Sequence, residues 1–183
     1  MNNEIFTNSS FLFEIIKGRR AVRNFQKREI SLENLKKILE AGIWAPSGSN
    51  LQSWEFILIK DEQKKSKIKL ISPGLFSNPD ALIILCINKI KAQKGGRLGE
   101  EMAIMDLSMA AQNMMLIAYS LGIGSCPVAS FNKIALKQIL KIPEHVEPIL
   151  ILILGYPNKW PKPPSRKPIK EVVYHDEYGR NFE

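Results

Sequence analysis

The sequence predicts one domain of mixed helices and strands, and three observations carry that prediction. A chain of 183 residues suits a single core. Three apolar runs, Trp54–Lys60, Ala81–Asn88 and Pro148–Leu154, have the length and composition of strands. Between and around them lie segments of helical period, among them one long run from Gly99 to Leu121.

Phe11–Lys17 spaces its apolar residues as a helix does and Gly18 follows, so a short helix should end just before a basic cluster. Ser31 is a good N-cap, Glu33 falls in the first turn, and Leu32, Leu35, Ile38, Leu39 and Ile43 form one stripe, which predicts a second helix ending before Pro46. Ala45–Ser53 is small and turn-forming and should link that helix to the strand Trp54–Lys60, with Trp54 as a core anchor at the strand entrance. Asp61–Leu70 reads as an exposed helix whose Lys64, Lys65, Lys67 and Lys69 make a solvated face. Ile71–Pro79 is a loop, and Ala81–Asn88 a buried strand.

Gly99–Leu121 favours helix at nearly every position, and Gly122 supplies the stop. At 1.5 Å per residue it would run about 34 Å. Because Met102, Met105, Met109, Ala110, Met114, Leu116, Ile117 and Leu121 occupy more than one face, burial on several sides is expected, at the centre of a domain or a dimer. Gly122–Phe131 reads as a short connection to a further helix, Phe131–Leu140, and Pro148–Leu154 as an interior strand. Five prolines, Pro157, Pro161, Pro163, Pro164 and Pro168, make Tyr156–Lys170 an extended arm suited to lie on a partner subunit.

Composition narrows the function classes. With 45% hydrophobic and 24% charged residues the chain is neither disordered nor fibrous. Its longest purely apolar stretch, Ile149–Leu154, is far short of the roughly 20 residues a membrane helix needs. Met1–Ser10 lacks the basic start and apolar middle of a secretory signal, so a cytoplasmic protein is expected. Cys86 and Cys126 sit in or beside apolar runs and read as buried free thiols. His145 and His175 stand in no metal or triad pattern. The net charge of +8 suits an anionic ligand, a nucleic acid or solubility alike.

Four segments could carry chemistry. Gly18–Phe25 holds Arg19, Arg20 and Arg23, either a phosphate site or an exposed basic turn; Arg19 and Arg23 would share a face if the backbone there is helical. Ala45–Trp54 offers Ser and Asn hydrogen-bonding groups beside Gly48, yet could be a plain loop. Gly122–Phe131 and the late Ser165–Pro168 complete the set. Lys94–Gly99 follows a strand and precedes a helix, but Lys94 stands where a dinucleotide fingerprint needs glycine.

Taken in order and at these separations, the four segments resemble the nitroreductase family of FMN-dependent oxidoreductases over almost the whole chain. Arg19, Arg20 and Arg23 match its opening arginine stretch. Pro46, Ser47, Asn50, Gln52 and Trp54 match its Pro-Ser-x-x-Asn-x-Gln-x-Trp loop, and Ala110–Asn113 followed by Leu121–Gly124 match its long helix and glycine stop. Gly155–Pro157 and Arg166 with Pro168 match its closing elements.

The resemblance implies an α+β fold with a largely antiparallel sheet flanked by helices, a long central helix and a domain-swapped homodimer. It makes residues 1–183 one FMN-binding domain, with 156–183 as an arm onto the partner. Arg19, Arg20 and Arg166 would grip the FMN phosphate, with the backbone of Ala21 beside them, and Arg23 would face the pyrimidine edge of the flavin. Pro46, Ser47, Gly48 and Asn50 would come from the other subunit, and Ala129 and Ser130 would lie near flavin N5. The implied reaction carries hydride from NAD(P)H to a small acceptor such as a nitroaromatic or quinone in ping-pong fashion, without nucleic acid or membrane partners. Two positions depart from the family pattern: Ala21 replaces a serine, and Ala129-Ser130 replaces a Glu-Gly or Gly-Gly pair. The competing class is a basic nucleic-acid-binding module, which would spread its cations over a surface rather than gather them.

Overall fold

The computed structural model describes residues 9–182. The expectations placed on Met1–Asn8, and the two ends of the 1–183 domain, lie outside the described residues. Four strands form one antiparallel sheet: Trp54–Ile59 (β1), Ala81–Asn88 (β2), Gly124–Val128 (β3) and Val146–Gly155 (β4), side by side in the order β1-β2-β4-β3. Every residue of β2 is buried, because the strand is central and covered on both faces. Its alternate residues serve two cores: Ile83, Leu85 and Ile87 point to one face, and Leu82, Ile84 and Cys86 to the other.

The first face is covered by helices α2 (Leu32–Ile43) and α5 (Gly99–Ser120). Ser31 caps α2 by accepting from the Asn34 N–H, and Leu35 and Ile38 of its stripe are wholly buried. The second face is covered by α3 (Glu62–Leu70) and α6 (Lys133–Leu140), through Ile68 and Leu136. Helix α1 (Ser9–Gly18) leans on the far end of α5, and α4 (Lys89–Gln93) is a single turn after β2. No helix among the described residues is long and apolar enough to cross a membrane.

Several expectations hold: β2 has the predicted bounds, Trp54 is buried, both cysteines are free and buried, and residues 158–168 of the arm carry no regular structure before a short turn at Ile169–Glu171. Four are corrected. Gly122–Phe131 is not a plain connection but contains β3, whose poor intrinsic propensity is overridden by pairing with β4; Pro127 is tolerated because β3 lies at the end of the sheet. The helix predicted from Phe131 starts at Lys133, because Asn132 is its N-cap. Lys65 is not on a solvated face: it is buried and its Nζ donates to the carbonyls of Pro79 (3.0 Å) and Asp80 (2.7 Å) and pairs with Glu62. Helix α5 is not covered on all its apolar sides within one chain. Leu107, Ala110, Ala111 and Met114 are buried, whereas Ile104, Met105, Met102, Met109 and Ile117 remain open.

Candidate functional site

The arginine-bearing segment follows α1 and lies across the glycine end of the sheet. It is not helical, contrary to the condition for Arg19 and Arg23 to share a helix face: α1 stops at Gly18, and Ala21 forms a parallel bridge with Ser125 of β3. The Val22 N–H donates to Ser125 O (2.9 Å) and the Gln26 N–H to Tyr156 O (2.8 Å). Close approach is possible because the neighbouring strand residues, Gly124 and Gly155, have no side chain: a Cβ on Gly124 would stand 2.7 Å from Val22, and one on Gly155 2.6 Å from the Phe25 ring. Gly18 makes a similar approach to the ring of Tyr119, which itself packs edge-on against Trp160 at the root of the arm, with centroids 5.0 Å apart.

This path gathers cations. Arg20 folds back on the end of α1, donating to the carbonyls of Lys17 and of Arg19 (2.7 Å), which satisfies helix-terminal acceptors. Arg20 and Arg166 line one cleft of about 500 Å³ with Glu14, Lys17, Pro163 and Pro164, and Glu14 pairs there with Lys17 at 3.1 Å. Burial pushes the Arg19 guanidinium below its ordinary pKa, and the like charges of Arg20 and Arg166 push it further the same way. Arg23 and Arg19 both lie close enough to the Cys126 thiol to counter the rise that burial imposes on it. None of the four arginines forms an ion pair among the described residues. The Nε atoms of Arg19 and Arg20 are buried with no hydrogen-bond partner. Buried donors of this kind are costly unless something accepts from them.

Pro46–Asn50 is elsewhere. Its Gly48 touches Met102 and donates its N–H to Asp106 in the first half of α5, while Gly18 meets Tyr119 near the other end. Asp106 and Tyr119 stand thirteen positions apart, about 20 Å along a helix. The loop is held in an unusual shape, with Ser49, Asn50 and Gln52 at φ of 50°, 55° and 47°. Ser47 Oγ accepts from the Gln52 N–H (3.1 Å) and Asn50 Oδ1 from Gln52 Nε2 (3.1 Å). Ala129 and Ser130 are exposed just beyond β3, with Ser130 against Gly74 of the loop between α3 and β2. The structure thus brings Arg19, Arg20, Ala21, Arg23 and Arg166 together and leaves Pro46, Ser47, Gly48 and Asn50 apart from them within one chain. Two supporting residues escaped the sequence reading: Tyr119, and Asp106, which is the only charged residue between Glu101 and the end of α5 and could have been noticed for that.

A four-stranded antiparallel sheet covered by helices on both faces, with one long central helix, is the fold of nitroreductases. The nitroreductase family model matches residues 16–81 and 68–156. A protein of Methanothermobacter thermautotrophicus bearing the double name NADH dehydrogenase/NAD(P)H nitroreductase is 31% identical over 82% of this chain and 79% of its own length. An FMN reductase (NADPH) of Bacillus subtilis is 26% identical over 96% of this chain and 74% of its own. The crystal structure of a nitroreductase family protein from Clostridium difficile 630 superimposes with a TM-score of 0.77 at 30% identity, covering 90% of this chain and 97% of that one. The chain belongs to the nitroreductase family.

Proposed function

We propose that the protein binds FMN between two copies of the chain and transfers hydride from NADH or NADPH to a small acceptor such as a nitroaromatic or a quinone. One observation carries this reading: the Nε atoms of Arg19 and Arg20 are buried without an acceptor, in a cluster where Arg166 adds like charge and the one carboxylate of the cleft lining, Glu14, is already paired with Lys17. A phosphate monoester supplies what is missing, since its oxygens accept charge-assisted bonds from several guanidinium groups at once. The residues present therefore fit the FMN tail. Bound FMN supplies the two-electron chemistry, which is why the chain needs no acid–base constellation of its own.

The chain's part is to bind and orient. Arg19, Arg20 and Arg166 hold the phosphate, with the Ala21 backbone beside them. Arg23 sets a fixed positive charge at the pyrimidine edge of the ring, which favours its anionic reduced form. Ala129 and Ser130 border the reactive face, and their exposure leaves an acceptor room to approach. Pro46, Ser47, Gly48 and Asn50 reach the site from the second copy. The separation of about 20 Å along α5 between the points where the two segments rest supports this. The open apolar face of α5, with Met102, Met105, Met109 and Ile117, supports a homodimer built on that helix. The arm, residues 156–183, exposed over 158–172, then lies on the partner. Two free buried thiols support a reducing, cytoplasmic setting. The Bacillus subtilis relative carries FMN and NADPH in its name, which supports both cofactor assignments.

The purified protein should be yellow, should release FMN on denaturation, and should bleach anaerobically with NADH or NADPH and regain colour with an acceptor. A colourless protein that takes up no added FMN overturns the proposal.

A further inference from the structure

Asp106 is a buried carboxylate that the reading above leaves without a task. It lies on the inner side of α5, 3% exposed, in an otherwise uncharged stretch of helix. Burying a carboxylate carries a large desolvation cost and is sustained only where its bonds repay it. Both of its oxygens face the Gly48 N–H, at 3.1 and 3.3 Å. Gly48 opens the short turn Gly48–Asn50, whose N-cap Ser47 makes no capping bond because its hydroxyl is turned to the Gln52 N–H. Asp106 therefore caps this turn from across the helix. The turn needs a clamp: Ser49, Asn50 and Gln52 all sit in the left-handed region, which disfavours residues with a Cβ.

We propose that Asp106 is a positioning residue: it locks residues 47–52 into the strained shape in which Ser47, Gly48 and Asn50 are presented to the FMN of the partner copy. The inference rests on the proposed FMN site and adds to it the device that presets one of its halves. With Asp106→Ala, the loop should relax to ordinary backbone angles and the half-site should dissolve, while the arginine half stays intact. Asp106→Asn keeps an acceptor oxygen of the same reach and should restore most of the loop.

The test uses two readouts on the full-length protein. Amide hydrogen exchange of residues 48–52 in the apoprotein reports the clamp without any cofactor, and FMN affinity by flavin fluorescence reports its consequence. Asp106→Ala should speed exchange there at least tenfold and weaken FMN at least tenfold, and Asp106→Asn should stay within about threefold of wild type on both. Unchanged exchange in Asp106→Ala, or equal damage from both variants spread over the whole chain, overturns the inference. If wild type binds no FMN, the proposed function fails by itself, and exchange at 48–52 still decides whether Asp106 holds the loop. Faster exchange with unaltered FMN affinity in Asp106→Ala overturns the link between the clamp and the cofactor.

Discussion

The segment Gly18–Arg23 and the loop Pro46–Gln52 solve opposite problems. The first has ordinary backbone geometry, bonded to β3 at Ser125, but its side chains are electrostatically unfinished: burial and like charges press on Arg19, and two Nε atoms have no acceptor. The second has its polar groups bonded to one another and to Asp106, but three of its residues hold disfavoured backbone angles. One half is poised by missing charge, the other by stored conformation. In the proposed FMN site a ligand would complete the first and merely be received by the second, so binding energy should be concentrated in the arginines.

The largest expected effect follows. A charge-assisted hydrogen bond contributes about 1.5–3 kcal/mol, and a neutral one about 0.5–1.5. Arg19→Ala should thus weaken FMN by roughly ten- to a hundredfold, and Asn50→Ala by about two- to tenfold. Added salt should weaken FMN binding to the wild type and to Asn50→Ala, and do so less for Arg19→Ala, as fluorescence titrations at several ionic strengths would record. Should Asn50→Ala cost more than Arg19→Ala, the contrast between the halves is wrong.

The next effect tests how the arginine half is seated. A Cβ at Gly18 would overlap the Tyr119 ring. Overpacking of this sort costs about 1–3 kcal/mol, so Gly18→Ala should lower the urea midpoint by a corresponding amount. Because the clash is with one side chain, Tyr119→Ala in the same chain should recover part of the loss in a double-mutant cycle. Strict additivity would mean that the ring simply moves aside.

How much of this was legible from residues alone follows the same division. The arginines, the loop and β2 announce themselves, because charge, turn residues and an unbroken Ala81–Asn88 apolar run are local signals. Strand β3 does not: Gly124, Ser125 and Pro127 are poor strand formers, and only the partner β4 makes them one. Lys65 misled for a related reason, since its neighbours Lys64 and Lys67 are solvent-facing and only the fold brings the Pro79 and Asp80 carbonyls to its Nζ. The left-handed loop and its clamp are tertiary facts, marked in sequence by nothing more than an isolated Asp106.

A smaller effect separates the two thiols beneath the sheet. Burial pushes Cys86 up to about 12, with Glu55 and Glu147 adding to the rise, whereas Arg23 and Arg19 restrain the rise at Cys126. A thiol whose folded pKa exceeds its unfolded one stabilises the fold fully below the unfolded pKa of roughly 8.5, and that contribution is lost as pH climbs toward the folded value. Thermal stability should therefore decline above about pH 9, and Cys86→Ala should flatten that decline whatever it does to stability at neutral pH. An unchanged alkaline slope in Cys86→Ala would place its source elsewhere.

The smallest effect probes the strained loop directly. Glycine at position 49 would remove a left-handed penalty of about 1–2 kcal/mol. It would also give back roughly 0.5–1 kcal/mol in the entropy of the unfolded chain. Ser49→Gly should therefore raise stability to urea by between about zero and 1.5 kcal/mol, the difference of those two terms. Its informative use is in the Asp106→Ala background. There the loop must hold its shape without the clamp, and a glycine that adopts φ near 50° freely should recover part of the exchange protection at residues 48–52. A loop held by conformational strain against a single carboxylate predicts that recovery; a loop held by its side-chain bonds Ser47–Gln52 and Asn50–Gln52 does not, and measuring it decides which of the two presets this half of the site.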